Sequence, residues 1–75
     1  MERNQEIAAE IGQRIAFLRK EAGLSQAVLA ERSGIRQSHL SRIECGKYNI
    51  TLDVLNAIAK GLGRTIDFVE LDANG

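Results

Sequence analysis

Glycines at four positions divide this 75-residue chain into short segments, and this division constrains its fold more than any other feature. Gly23, Gly34, Gly46 and Gly63 each follow a stretch in which apolar residues recur at helical spacing. Because only a few residues connect one stretch to the next, the four predicted helices must pack together as one small domain. This spacing leaves no room for a separate catalytic domain.

The first predicted helix runs from about Asn4 to Ala22. Its aliphatic residues recur at spacings of four, four and three, and we expect them to be core residues: Ile7, Ile11, Ile15 and Leu18. Gly12 lies inside this helix at a cost of about 1 kcal/mol relative to Ala, which indicates a close approach by a neighbouring element. Phe17 is expected to pack as well, and an exposed Phe17 would indicate a groove for a partner.

The second and fourth helices begin at residues whose side chains can cap them. Ser25 is expected to cap the second helix, which stops at Gly34, and Thr51 to cap the fourth, which continues to about Leu62. The residues expected to face inward are Val28, Leu29 and Ala30 in the second helix and Leu52, Leu55, Ile58, Ala59 and Leu62 in the fourth.

The third helix, from about Gln37 to Cys45, has an unusual start and an unusually polar face. Arg36 precedes it, although Ser, Thr, Asp or Asn would cap a helix better. At about 100° per residue, Leu40 and Ile43 lie on one side and the polar residues fall in an opposite arc of roughly 140°. That arc contains Gln37, Ser38, Ser41, Arg42 and Cys45. Amide, hydroxyl and guanidinium groups of this kind read base edges in DNA.

The flanking residues fit a helix-turn-helix, in which the first helix of the pair directs its N-terminus at the DNA backbone. Ser25 and Gln26 occupy that N-terminus, and Lys47, Tyr48 and Asn49 follow the second helix, where they could reach a flanking phosphate. Arg42 could instead pair with Glu44 or Glu31 at the surface. Glu44 is expected to orient a neighbouring Arg or a helix end, because a phosphate would repel it.

The charge distribution supports a nucleic-acid partner although the formal net charge is zero. Residues 1–31 carry four basic and five acidic groups, residues 32–64 carry six basic and two acidic, and residues 65–75 carry three acidic and none basic. The positive charge is therefore concentrated in the segment that contains the third helix.

Other classes of function have little support in the sequence. Cys45 is the only cysteine and His39 the only histidine, so neither a disulfide framework nor a metal site is expected, and no cofactor motif is present. No paired carboxylates or catalytic set point to an enzyme. No apolar run approaches the roughly 20 residues of a membrane span, and the start of the chain is no secretory signal, so we expect a cytoplasmic protein without a membrane partner.

The C-terminal run RTIDFVEL is prone to form a β-strand, and we separate residues 64–75 from the helical domain, residues 1–63. One strand cannot satisfy its own backbone groups, so we expect it to pair antiparallel with the same strand of a second copy, through Ile66, Phe68 and Val69. The alternative is an irregular segment packed on the helices. A chain this small buries only about 60% of its unfolded surface, which also favours a dimer.

The run LSQAVLAERSGIRQSHLSRIECGK resembles the helix-turn-helix of the lambda-repressor and Cro class, also called XRE-family regulators. The positions that match the family pattern are Gln26, Leu29, Ala30, Gly34, Ile35, Ser38, Leu40, Ser41, Ile43, Glu44 and Gly46. The last part, TLDVLNAIAKGLGRTIDFVELDANG, looks like the end of HipB-type antitoxins. In that subtype a final strand pairs between the subunits of a dimer that represses its own operon and holds a kinase toxin.

The resemblance implies an all-α, lambda-repressor-like DNA-binding bundle of four to five helices, with a short C-terminal β-strand pairing across a homodimer. Carried over by position, it implies base contacts from Arg36, Gln37, Ser38, Ser41 and Arg42, and phosphate contacts from Gln26, Lys47 and Asn49. Arg36 departs from the small cap usual in the family, so it is expected to contact a phosphate or a guanine instead.

The function that this resemblance implies is sequence-specific repression of transcription, by a homodimer bound to a palindromic operator in double-stranded DNA. The HipB likeness adds autoregulation and a HipA-like kinase toxin as a partner. Two alternatives stay open, a protein-interaction module that sequesters such a kinase and a restriction-modification controller protein.

Overall fold

The computed structural model describes residues 2–68 and contains four α-helices in that range. They are α1 (Glu2–Glu21), α2 (Gln26–Ser33), α3 (Gln37–Glu44) and α4 (Leu52–Gly61). These bounds agree with the sequence pattern to within about two residues, and the all-helical class of these residues is confirmed.

Both predicted side-chain caps are present. The Oγ of Ser25 accepts a hydrogen bond from the backbone N–H of Val28 at 3.1 Å, and the Oγ1 of Thr51 accepts one from Val54 at 3.3 Å. Gly34 ends α2 in the left-handed conformation, with φ 72°, and its N–H bonds the carbonyl of Glu31 at 3.1 Å. The turn between α2 and α3 is therefore fixed by a cap on one side and a glycine on the other.

The core forms where α2 packs against both α3 and α4, and where α1 packs against α3. Its buried members are Ile15, Leu29, Ala30, Leu40, Ile43 and Ile58, and Ile11, Leu24, Ile35, Tyr48, Ile50, Val54, Leu55 and Leu62 pack against them. At about 25 cal/mol per Å² of apolar surface, this shared burial is the main stabilisation of helices too short to persist alone.

Gly12 confirms the close approach that the sequence indicates. A Cβ atom at this position would overlap the backbone carbonyl oxygen of Ile43. The loop after α3 approaches α1 in the same way, because a Cβ on Gly46 would lie 2.8 Å from the Cα of Ala9. The two glycines allow α1 to lie directly against the end of α3.

Four apolar residues that we expected in the core are exposed. Ile7 and Phe17 on α1 are each 49% exposed, Val28 is 38% and Leu52 is 78%. Ile7 lies beside the face of α1 that meets α3, which runs through Ala8, Gly12 and Ile15.

Helix geometry explains the other two exposed aliphatic residues. Successive helical residues turn by about 100°, so the three apolar residues in sequence on α2 cannot all face inward, and Val28 is the one that points out. Leu52 is the first residue of α4, where the helix has only begun to enter the core.

The segment after α4, residues 64–68, forms neither strand nor helix within the described part of the chain. Ile66 is 46% exposed and Phe68 is 98% exposed. Val69 lies outside the described residues. A strand paired between two copies stays a prediction, because a single chain cannot test it.

An open groove of about 510 Å³ lies between α1 and α4, and residues 64–67 close one side of it. We call it the α1–α4 groove. Its apolar walls are formed by Ile11, Ile15, Leu18, Leu55, Ile58, Ala59, Leu62 and Ile66. The polar lining residues are Arg14, Arg64, Thr65 and Asp67.

Among the described residues, none of the helices is both long and apolar enough to cross a membrane. Within the same residues, no three His, Cys, Asp or Glu side chains are grouped so that they could hold a metal ion.

Candidate nucleic-acid interface

The polar arc of α3 faces solvent, as the sequence pattern predicts. Leu40 and Ile43 are 0% and 2% exposed and anchor the helix from beneath. Gln37, Ser38, Arg42 and Cys45 are exposed and Ser41 is partly exposed. We call these five residues the outward face of α3. They offer donors and acceptors along about two helical turns, and the major groove of DNA is wide enough to admit an α-helix.

Arg36 precedes α3 as its N-cap residue but does not cap it. Its backbone is extended, with φ −75° and ψ 148°, and its side chain makes no capping hydrogen bond. The side chain is exposed. Its guanidinium is thus available to an anion or a base edge at the N-terminal end of the outward face.

Gln26, at the start of α2, is tied to α3 by its side chain. Its Nε2 donates a hydrogen bond to Oε1 of Glu44 at 3.0 Å. The amide has a second N–H, which could serve the predicted phosphate contact. The bond fixes the N-terminus of α2 relative to the C-terminal end of α3, and these are the two elements that a helix-turn-helix presents together.

Glu44 also forms an ion pair with Arg19 of α1, so the expectation that it orients an arginine is confirmed. Nε and Nη2 of Arg19 donate to the two carboxylate oxygens at 2.7 and 3.0 Å, and Nη1 donates to the carbonyl of Leu24 at 2.9 Å. The two side chains are only 11% and 7% exposed. The bidentate pair therefore joins α1, the α1–α2 connection and α3.

The hydrogen bond to Glu44 raises the pKa of the Arg19 guanidinium above its ordinary value, against the opposing effect of desolvation. Because the folded-state pKa is raised, this stabilisation is fully present below the unfolded-state pKa of arginine. It is lost only as the pH rises beyond that value, so the arginine stays charged and paired at neutral pH.

Lys47 and Asn49, the other predicted phosphate contacts, lie in the loop after α3 and are exposed. The backbone N–H of Lys47 bonds the carbonyl of Arg42 at 3.0 Å, which holds the loop against the last turn of α3. Lys47 and Arg36 thus lie beyond opposite ends of α3, an eight-residue helix about 12 Å long.

Arg42 does not pair with Glu44, the first alternative partner considered for it, because that carboxylate is occupied by Arg19. No ion pair between Arg42 and Glu31 exists in the described structure either. The Cζ of Arg42 instead lies over the ring of Tyr48, 5.8 Å from its centroid. Arg19 is the residue that sequence reasoning missed, since 25 residues separate it from Glu44 and no local pattern links them.

Comparison with known proteins identifies relatives of this chain. A family model described as Helix-turn-helix matches residues 15–69. The structure is similar to that of the restriction-modification controller protein C.AhdI from Aeromonas hydrophila, with a TM-score of 0.77 and 34% sequence identity. That likeness covers 79% of this chain and 89% of the controller protein.

Two sequence relatives are a repressor and a regulator. The immunity repressor protein of Bacillus phage phi105 is 45% identical over 53 residues, which are 71% of this chain but only 37% of the repressor. The uncharacterised HTH-type transcriptional regulator y4dJ of Sinorhizobium fredii is 41% identical over 61 residues, which cover 81% of this chain and 77% of the regulator.

Proposed function

The chain belongs to the XRE-type helix-turn-helix family of DNA-binding transcriptional regulators, and on this premise we propose that it represses transcription as a homodimer on a palindromic operator. Two copies related by a two-fold axis would insert their α3 helices into successive major grooves, with half-sites about one helical turn apart. Base contacts would come from Gln37, Ser38, Ser41 and Arg42 and from Arg36 at the helix start.

The observation that carries this proposal is the division of α3 into two sides. Its apolar residues are buried almost completely, and its outward face carries an amide, two hydroxyls and a guanidinium. None of these groups takes part in the side-chain hydrogen bonds of the described residues, which involve the Glu44 carboxylate, Arg19, the two caps and Asp67. Exposed donors and acceptors on a rigid helix suit direct readout of base edges.

Gln37→Ala tests the base-reading role. An operator is first selected from a random duplex library with the wild-type chain, and affinities are then measured by fluorescence anisotropy. We expect Gln37→Ala to lose about 1 to 3 kcal/mol of binding free energy and to relax preference at one base pair. Asn56→Ala, which removes an exposed amide on α4, is the matched control and should change nothing. Unchanged operator binding by Gln37→Ala would contradict the role.

Lys47→Ala tests the phosphate-contacting role. It should weaken binding to all sequences alike and reduce the slope of log K against log salt by about one unit, because one fewer counterion is released. Lys60→Ala, at an exposed position on α4, controls for loss of a positive charge. A change in base preference with an unaltered salt slope would assign Lys47 a different role.

The proposed dimer rests on the α1–α4 groove and the segment beside it. The groove exposes apolar walls, and Phe68 stands 98% exposed at the end of the described segment. Residues 65–75 carry only acidic charges, whereas Arg14 and Arg64 line the groove. A second copy could therefore cover the groove with its own C-terminal segment, either as a paired strand or through side chains alone.

Truncation after Gly63 tests where the dimer interface lies. Every core residue precedes this position, so the shortened chain should still fold. We expect full-length chains to sediment as dimers and truncated chains as monomers of native helical content. Dimers that persist after truncation would indicate that the interface lies on the helices.

The regulatory role that we propose first is that of a HipB-like, autoregulatory antitoxin, on the basis of the C-terminal sequence. The second candidate is a restriction-modification controller, which the similarity to C.AhdI favours. Co-purification of a HipA-like kinase encoded beside this gene would support the antitoxin role, provided that Arg36→Ala and Arg42→Ala leave it intact. Flanking restriction and modification genes without a kinase gene would support the controller role.

A further inference from the structure

Three side chains form a stack beside the C-terminal half of α3. The Cζ of Arg42 lies 5.8 Å from the centroid of the Tyr48 ring, over its face. The His39 ring meets Tyr48 at right angles, with centroids 4.6 Å apart and planes inclined by 83°. His39 and Arg42 are three residues apart and so occupy the same flank of the helix, where Tyr48 contacts both.

The loop that carries Tyr48 is held firmly against α3. Its turn begins at Gly46, which is left-handed with φ 73° and packed on Ala9 of α1. The backbone N–H of Lys47 bonds the carbonyl of Arg42 at 3.0 Å, and Tyr48 itself packs against the core. The ring is therefore fixed relative to the helix whose arginine it supports.

His39 contacts the ring of Tyr48 by packing rather than by hydrogen bonding. Its Nε2 is buried and has no hydrogen-bond partner among the described residues. Edge-to-face packing is a favoured arrangement of two aromatic rings, so this contact restricts the orientation of Tyr48.

Arg42 is otherwise free. It is exposed, and its guanidinium makes no ion pair or hydrogen bond with any described residue. An unsupported arginine loses much side-chain entropy when it binds, whereas one that already rests on an aromatic ring loses less. A guanidinium held in this way can direct paired N–H donors at the O6 and N7 atoms of a guanine.

We propose that Tyr48 is a positioning residue, which holds Arg42 for bidentate reading of a guanine at the end of the outward face of α3. This inference rests on the proposed function, since it concerns how one of the base-reading residues acquires its specificity. Tyr48 lies outside α3, and it would determine sequence preference through Arg42 without contacting a base.

The test compares four variants of the full-length chain on the selected operator and on operators with each base pair replaced in turn. Tyr48→Phe keeps the ring, Tyr48→Leu keeps apolar bulk without the ring, Arg42→Ala removes the reader, and a double variant combines the last two. We expect Tyr48→Leu and Arg42→Ala to lose discrimination at the same base pair, Tyr48→Leu by about three- to tenfold. The double variant should match Arg42→Ala alone, and Tyr48→Phe should match the wild type.

A measurement on the free wild-type chain keeps the test independent of variant folding. The ring current of Tyr48 should shift the Nε proton of Arg42 upfield in NMR spectra relative to that of Arg32, an exposed arginine on α2. An unshifted proton would overturn the proposal. So would a Tyr48→Leu variant that weakens all duplexes equally, or effects of the two single changes that add in the double variant. A wild-type chain that selects no sequence would refute the proposed function instead, even with the Arg42 proton shifted.

Discussion

The α3 side of the molecule and the α1–α4 groove differ in where their apolar side chains point. Under α3, Leu40 and Ile43 are buried and polar groups cover the surface. Along the groove, partly buried aliphatic residues form open walls, and Phe68 beside it has almost its full surface in solvent. The apolar residues beneath α3 are covered within one chain, whereas the groove leaves apolar surface open to solvent.

The two sides also differ in how they are tied together. The α3 side has the Arg19–Glu44 pair, the Gln26 bond and a glycine contact with α1. Near the groove, the polar side-chain contacts among the described residues are fewer: the guanidinium of Arg14 lies over the Phe17 ring, 5.2 Å from its centroid, and the Phe68 N–H bonds the Asp67 carboxylate at 2.7 Å. The α3 side is therefore held by more side-chain contacts than the groove, which suits the base-reading role that we propose for it.

Gly12→Ala should produce the largest effect, because it disrupts the contact between α1 and α3. The added Cβ overlaps the Ile43 carbonyl, so α1 must move away from α3, and we expect a loss of about 3 to 5 kcal/mol in the free energy of unfolding. Helix propensity alone would make the alanine variant more stable by about 1 kcal/mol. A loss of stability would therefore identify the overlap with α3 as the cause.

The measurement is urea unfolding followed by circular dichroism, with Gln13→Ala, at an exposed position on the same helix, as the control. Equal or greater stability of Gly12→Ala would mean that α1 and α3 do not approach closely in solution.

Glu44→Ala should have the next largest effect. It leaves Arg19 without its carboxylate partner in a largely buried position and releases Gln26, so we expect a loss of about 2 to 3 kcal/mol in the free energy of unfolding. Operator affinity should fall too, measured under conditions where the variant is folded. Glu31→Ala removes an exposed carboxylate on α2 and should change stability by less than about 0.5 kcal/mol. Similar losses in both variants would show that charge, rather than the pair, is responsible.

Phe68→Ser should have the smallest effect on a single chain. Because the side chain is 98% exposed, the free energy of unfolding of the monomer should change by less than about 0.5 kcal/mol. Dimer dissociation, followed by sedimentation, should nevertheless become easier. Leu52→Ser, at a residue 78% exposed and outside the groove lining, should alter neither quantity. If both variants and the wild type dissociate at the same concentration, Phe68 does not contribute to the dimer interface.

Features governed by neighbours in sequence were predictable. The Ser25 and Thr51 caps, the glycine that ends α2 and the two-sided character of α3 each depend on residues within one or two turns. The periodic pattern predicts Ile7 and Leu52 in the core, but both are exposed. Ile7 lies beside the face of α1 that meets α3, and Leu52 is the first residue of α4.

Features that join distant segments could not be read from spacing. Arg19 and Glu44 lie on α1 and α3, and only the packing of these helices makes them a pair. The contact between Arg42 and Tyr48 depends on the path of the loop after Gly46, and the α1–α4 groove depends on the angle between two helices. The position of Arg42 on α3 predicts a base contact, but no spacing in the sequence predicts its contact with Tyr48.

The burial of only Leu40 and Ile43 beneath α3 has a consequence for how this protein could diversify. Gln37 and Ser38 are exposed and Ser41 is partly exposed, so under the proposed function new side chains at these positions would be selected by their DNA targets more than by folding. Gene duplication followed by substitution of these few residues would then generate paralogues that share one fold and bind different operators.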